Sequence, residues 1–191
     1  MRCAACRRAT PEYDIVHSGS KEGGFRRLCT ECLNGEVAAL QGWEKFQHPR
    51  FEPMFLTDCA GDVHEFHFRT TLFVAGVALD AFEVRDGRPS GYQLQVIGDP
   101  REDLMVLLGR LIVKIRRSLA RRHLEQGAGG LQIADHGTVR GLIDSEGSAG
   151  TMPQLVIDGR EISWADFGRL LMSYEGWQFK LTISDNSEEM V

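Results

Sequence analysis

The chain lacks the signatures that would declare an activity outright. No apolar run reaches the about 18 residues needed to cross a bilayer, so no membrane-spanning helix is expected. Neither a GxxxxGKS/T nor a GxGxxG run is present, so neither phosphate-cradling loop is available for a nucleotide. A GxSxG elbow and an HExxH helix are missing as well. Their absence lowers the expectation of an enzyme without excluding one, because catalytic groups can meet only in the fold. Arg2, Cys3, Arg7 and Arg8 stand where a secretory leader would place its hydrophobic core, and a cytoplasmic protein is expected. Cysteine is scarce, at five residues. Four fit metal thiolates and Cys59 is left over as one free buried thiol, a pattern unlike a secreted disulfide framework.

What is present is an ordinary globular composition, 42% apolar and 26% charged over 191 residues. That length allows a small metal module and a body with a core of its own. The partition read from the composition is a four-cysteine zinc-finger module over 1–45, a β-meander with a long amphipathic helix over 46–130, and a C-terminal β-β-α-β unit over 131–191. The last two are expected to pack as one body. The fold class is α+β.

The sharpest chemical signal is a pair of CxxC knuckles, Cys3 with Cys6 and Cys29 with Cys32, separated by 22 residues. A CxxC turn converges two thiolates on one metal while nearby amides stabilise their charge, and two such turns complete a tetrahedral shell. A redox CxxC comes singly and follows a βαβ context, which is not the pattern here. The expectation is one structural zinc ion held by Cys3, Cys6, Cys29 and Cys32, folding the first forty or so residues. Between the knuckles, residues 13–17 and 25–28 flank a polar tip over 18–24 and read as a hairpin. After Cys32, Leu33, Val37 and Leu40 recur at helical spacing until Gly42.

Knuckle, hairpin, then a knuckle feeding a helix resembles a treble-clef or zinc-ribbon-like finger over about residues 1–45, through CAAC and CTEC followed by LNGEVAAL. The resemblance implies a structural zinc ion. It leaves DNA binding, RNA binding, protein docking and nuclease catalysis open, although the helix lacks the metal-binding histidines that catalytic treble clefs keep. The stretch 91–123 and the segment ISWADFGRLLMSYEGWQFKL also resemble a bacterial family of uncharacterised function, which implies no activity.

Residues 43–61, with Trp43, Phe46, Phe51 and Phe55, read as an irregular connection packed on the body. Strands follow over 64–73, 77–84 and 92–97 as an antiparallel meander. His64 and His67 lie three apart in a strand, so they point to opposite faces and are not expected to share an ion. A long helix is expected from an Asp99 N-cap, with Pro100 and Glu102 completing the start, to Gly127. Its first half, from Leu104 to Val113, is apolar on nearly every side and implies cover from two layers. Arg110, Lys114, Arg117 and Arg121 then form a stripe on one face. A strand over 137–143, a loose 144–151 loop, residues 155–157 with an Asp158-Gly159 turn, and a helix capped by Ser163 come next. Trp177, Phe179, Leu181 and Ile183 alternate with polar residues as a half-buried strand, and 185–191 form a polar tail.

Charge is divided along the chain. Residues 101–125 carry seven basic against three acidic side chains, a net of +4, and 131–191 carry four against ten, a net of -6, within a total of -5. The leading functional expectation is a non-enzymatic zinc protein that acts by binding, to a protein partner or to its own copy. The alternative is nucleic-acid recognition by Arg7, Arg8, Arg26 and Arg27 on the finger together with Arg110, Lys114, Arg117 and Arg121. A second alternative is a hydrolase with a site between Cys59 and His67.

Overall fold

A computed structural model describes residues 1–20, 24–43, 45–127, 129–145 and 152–188. Parts of the expected 18–24 tip, the helix exit at 128, the 144–151 loop and the end of the polar tail lie outside the described residues. The architecture is α+β, with antiparallel sheets and three helices.

The first unit is a hairpin of β1 (Ile15–Ser20) and β2 (Gly24–Cys29), followed directly by α1 (Thr30–Gln41). The helix starts three residues earlier than its apolar spacing suggested, because Cys29 ends the strand and serves as N-cap. Gly42 stops it in the left-handed conformation that glycine adopts without steric cost. The buried face of α1 is Thr30, Asn34 and Ala38, four residues apart, while Leu40 faces out. A fully buried asparagine does not read as core in a hydropathy pattern, and it displaced the expected stripe.

The central sheet has the order β3 (Met54–Thr57), β4 (Val63–Phe73), β5 (Gly76–Arg85) and β6 (Arg88–Gly98). The meander appears as expected, with β3 added from within the supposedly irregular connection. Asp86 and Gly87 both have positive φ and close β5 onto β6 in two residues, the geometry that matches strand twist in hairpins. α2 (Leu104–Leu119) lies on β5 and β6. Leu107, Leu111 and Ile115 bury against Leu79, Leu94 and Val96 in the main core, with Phe66 and Leu72 beside them.

The long helix differs from its expectation at both ends. Asp103, not Asp99, caps it, accepting the Met105 N–H at 2.9 Å, and Asp99 instead holds a turn through the Arg101 N–H. At the far end residues 124–127 form β7 (Leu124–Gly127), which pairs with β8 (Gly130–Ile133), so the chain turns back after Leu119. Cover is also one-sided: Met105, Val106 and Val113 are exposed.

The last unit is a sheet of β9 (Leu142–Ser145), β10 (Pro153–Ile157) and β11 (Arg160–Ser163), followed by α3 (Trp164–Leu171), capped by Ser163. Ile157, Ile162, Leu124 and Ile133 form its core, with Phe167, Leu170 and Tyr174 packed on them. The strand expected over 137–143 forms only from Leu142, as β9, which runs on to Ser145 into the expected loop. No strand forms after α3 among the described residues, and the alternating segment from Trp177 to Ile183 is exposed instead of half-buried. Among the described residues, no helix is long and apolar enough to cross a membrane.

Candidate metal centre

The first knuckle is a small loop closed by an Arg2–Ala9 bridge, with the Arg7 N–H on the Cys3 carbonyl at 3.0 Å and the Cys3 N–H on the Arg8 carbonyl at 3.2 Å. Arg7 takes a positive φ of 61°, an uncommon position for a side chain larger than Asn, which folds the loop tightly. The Ala4 N–H donates to the Arg27 carbonyl at 2.7 Å and fastens this loop to β2. The second knuckle is the junction of β2 and α1, so Cys29 and Cys32 sit in the first turn of a helix whose free amides favour negative charge.

All four Sγ atoms lie within 4.8 Å of one another. Cys6 Sγ and Cys29 Sγ are 3.8 Å apart, and the Cys29 N–H points at Cys3 Sγ at 3.3 Å. Cys3 and Cys29 are 2% and 4% exposed, packed with the fully buried Leu28, and Cys6 and Cys32 are partly covered. Such a cluster can hold a metal ion. Among the described residues no other group of three or more His, Cys, Asp and Glu side chains converges in this way.

The protonation pattern shows why a cation suits the site. Burial pushes the Cys3 thiol up, but the amides of Cys29, Cys6 and Ala5 outweigh it and bring it down to about 6. The Arg8 guanidinium lowers Cys6, donating to its Sγ at 3.4 Å. Burial raises Cys29 and Cys32, and for Cys32 the neighbouring sulfurs add to the rise. Two thiols are thus shifted toward the thiolate and two away from it, chiefly by burial, and a cation would offset the charge of four adjacent thiolates.

Arg8 has a role that its place in the sequence did not show. It joins Cys6 to Glu31, and Arg50 from the connection after α1 reaches the same carboxylate. Both arginines hold Glu31 below the usual carboxylate range, the Arg50 hydrogen bond being the larger cause.

The other singled-out residues are dispersed. Arg26 pairs with Glu36, whereas Arg7 and Arg27 make no side-chain ion pair among the described residues. Arg110 and Lys114 donate to the Ile97 and Gln95 carbonyls on the open edge of β6, at 3.4 and 3.1 Å. Lys114 also takes the Glu188 carbonyl. The stripe therefore serves in part as a cap for an unpaired strand edge. Cys59 is exposed, correcting the expectation of a buried thiol. His64 and His67 do part company: His64 Nδ1 meets Glu83 at 3.0 Å, and His67 Nε2 meets Glu65 at 3.2 Å. His64 Nε2 is buried without a hydrogen bond, 3.6 Å from Asp58 Oδ2.

Comparison with known families divides the chain into three matches. Residues 2–44 match a family model described as a domain of unknown function, DUF7685. Residues 47–120 match a second, DUF7686, and residues 123–188 a third, DUF7713, both likewise described as domains of unknown function. No curated protein and no solved structure matches the chain.

Proposed function

We propose that the four cysteines hold one structural zinc ion in a treble-clef-like finger, and that the protein is a non-enzymatic interaction module working on a protein partner. The observation that carries the reading is the set of four sulfurs within 4.8 Å. A zinc ion about 2.3 Å from four thiolates at tetrahedral angles sets its ligands about 3.8 Å apart, the separation of Cys6 and Cys29. Four protein ligands leave no open position for substrate, which suits a structural ion. Support for the treble-clef comparison is the order of knuckle, β-hairpin, and second knuckle at a helix N-terminus.

The finger is mounted firmly on the body, as an interaction module needs. Arg69 of β4 donates to the Tyr13 carbonyl at 3.1 Å, Tyr13 packs edge-on against Phe82, and Arg88 pairs with Glu12. Metal analysis of full-length protein purified without chelator tests the reading. One zinc per chain is expected, with Cys29→Ser abolishing it. A full complement of metal in that variant, or thiols that carry none in the wild type, would refute the site. Binding to nucleic acid through Arg7 and Arg27 is the second reading, favoured by their lack of ion pairs among the described residues. It requires an affinity that falls steeply with salt.

A further inference from the structure

The segment after α3 carries four large apolar side chains in strict alternation. Trp177, Phe179, Leu181 and Ile183 are 74%, 91%, 72% and 70% exposed, and Gln178, Lys180 and Thr182 lie between them. Residues 178–184 make no backbone hydrogen bond to any described residue. The segment is nonetheless held at both ends. Trp177 stacks edge-on against Tyr174, whose hydroxyl donates to the Ile133 carbonyl at 3.4 Å, and Asn186 donates to the Gln93 carbonyl at 3.5 Å. Lys114 takes the Glu188 carbonyl at 2.8 Å, which brings the end of the segment to α2. It is a segment with the alternation of an amphipathic strand, presented without a backbone partner among the described residues.

A second, mixed surface lies on the same chain. Met105, Val106 and Val113 are exposed on α2, with Arg110 and Arg117 interleaved on the face of the two valines, and at its N-terminal end this stripe continues into a cleft of about 670 Å³ lined by Trp43, Phe46, Phe51 and Leu104 together with charged Lys45, Arg101, Glu102 and Asp103. Contiguous exposed apolar side chains on a folded chain mark interaction sites.

We propose that the occupant is a second copy of this chain: in a two-fold dimer the strand 177–183 of each copy lies across the α2 stripe of the other. Both complementary surfaces belong to one chain, which is what an isologous pair requires. Charge favours the same pairing. Arg116 and Arg121 on and just past α2 and the carboxylates of Glu175 and Glu188 flanking the strand have no partner among the described residues. Two aromatics and two aliphatics from each copy, with the stripes beneath them, bury roughly 1,500 Å², the size of a standard stable interface. The open edge of β6 is already capped by Arg110, Lys114 and Asn186, so it is not available to this strand.

This deepens the interaction reading above by naming the partner, and its readout is separate from metal content. The experiment is sedimentation velocity of the full zinc-loaded chain, with metal measured on each sample. The wild type is expected to be a dimer. Phe179→Asp with Leu181→Asp, and Val106→Asp with Val113→Asp, should each raise the dissociation constant by about a hundredfold or more. Metal content should stay at the wild-type value, since no altered side chain is near the thiols. Mixing the two variants should restore a heterodimer, because one strand and one stripe remain intact across the pair. A monomeric wild type, a variant that stays dimeric, or a mixture that fails to recover would each overturn the proposal.

Discussion

Asn34 of α1 completes the edge of β4 beside Leu72: its Oδ1 accepts the Leu72 N–H and its Nδ2 donates to the Thr70 carbonyl, both at 2.8 Å. β3 pairs with β4 only from Val63 to Phe66, so the outer edge farther along β4 has no strand beside it. A side-chain amide is the right substitute, since it offers one donor and one acceptor in a plane, as a peptide group does. Asn34 is fully buried, and this contact locks the helix that begins at the cysteine cluster onto the body.

Removing it should therefore cost more than an average surface change. Asn34→Ala leaves a buried N–H and a buried C=O without partners, each at about 1–3 kcal/mol, for a loss of roughly 2–4 kcal/mol in urea unfolding. Metal content should hold, because Asn34 is not a ligand. Asn34→Asp keeps the acceptor but loses the donor, and its stability should fall between wild type and the alanine variant.

The same amide sets a pH dependence. Asn34 Nδ2 also meets His48 Nδ1 at 2.8 Å, which makes that nitrogen an acceptor and the ring neutral. Burial lowers the His48 pKa below its ordinary value. The unfolded chain then binds the extra proton more readily, so this contribution is present above about pH 6.5 and is lost as pH falls below it. Stability measured from pH 8 to 5 should decline, and His48→Gln should flatten the profile.

A second acid-sensitive joint ties α2's exit to the loop before β4. Arg122 Nε and Nη2 donate to Asp58 Oδ2 at 2.9 and 2.6 Å, and the Ala60 and Asp62 amides donate to Asp58 Oδ1, both at 2.9 Å. Burial raises the Asp58 carboxyl, but these donors, Arg122 foremost, bring it down to about 2. Its stabilisation is full above the unfolded carboxylate value near 3.9 and is lost as pH falls from there toward about 2. Arg122→Met strands a carboxylate that is 8% exposed and should destabilise by about 3–5 kcal/mol near neutral pH. Asp58→Asn with Arg122→Met should recover part of that loss.

The tip of the β10–β11 hairpin is a third joint. Asp158, at φ 52°, accepts both the His123 and Leu124 amides at 2.7 Å, and Gly159 follows at φ 69° against the Tyr92 ring. Gly159→Ala would set a Cβ 3.0 Å from that ring in a left-handed turn, and is expected to cost about 1–2 kcal/mol and lower the Tm. Thermal unfolding of the full chain checks this.

Local chemistry was legible from the residues alone. The CxxC spacing places the thiols together in pairs because each knuckle is a short-range turn. The Asp86-Gly87 and Asp158-Gly159 hairpins follow from the left-handed turns that Asp-Gly pairs tolerate, and the Ser163 cap from its reach to the Asp166 amide. The strand-like runs over β4 and β5, separated by turn residues, gave the meander. Where two local signals competed, neighbours decided. Asp99 and Asp103 both offer a helix cap, and only packing of Leu107 and Leu111 on the sheet selects the register that starts at Asp103.

Tertiary structure alone decided the rest, for one physical reason: burial is a property of a pair of surfaces, and a sequence states only one of them at a time. Asn34 is buried because β4 presents an open edge to it, and Arg110 and Lys114 turn inward because β6 presents another. Trp177, Phe179, Leu181 and Ile183 have the pattern of a half-buried strand, yet they stand in solvent because no described edge of this chain meets them. Alternation gives this segment the pattern of a paired strand, and the arrangement of the other described strands leaves it unpaired within the chain.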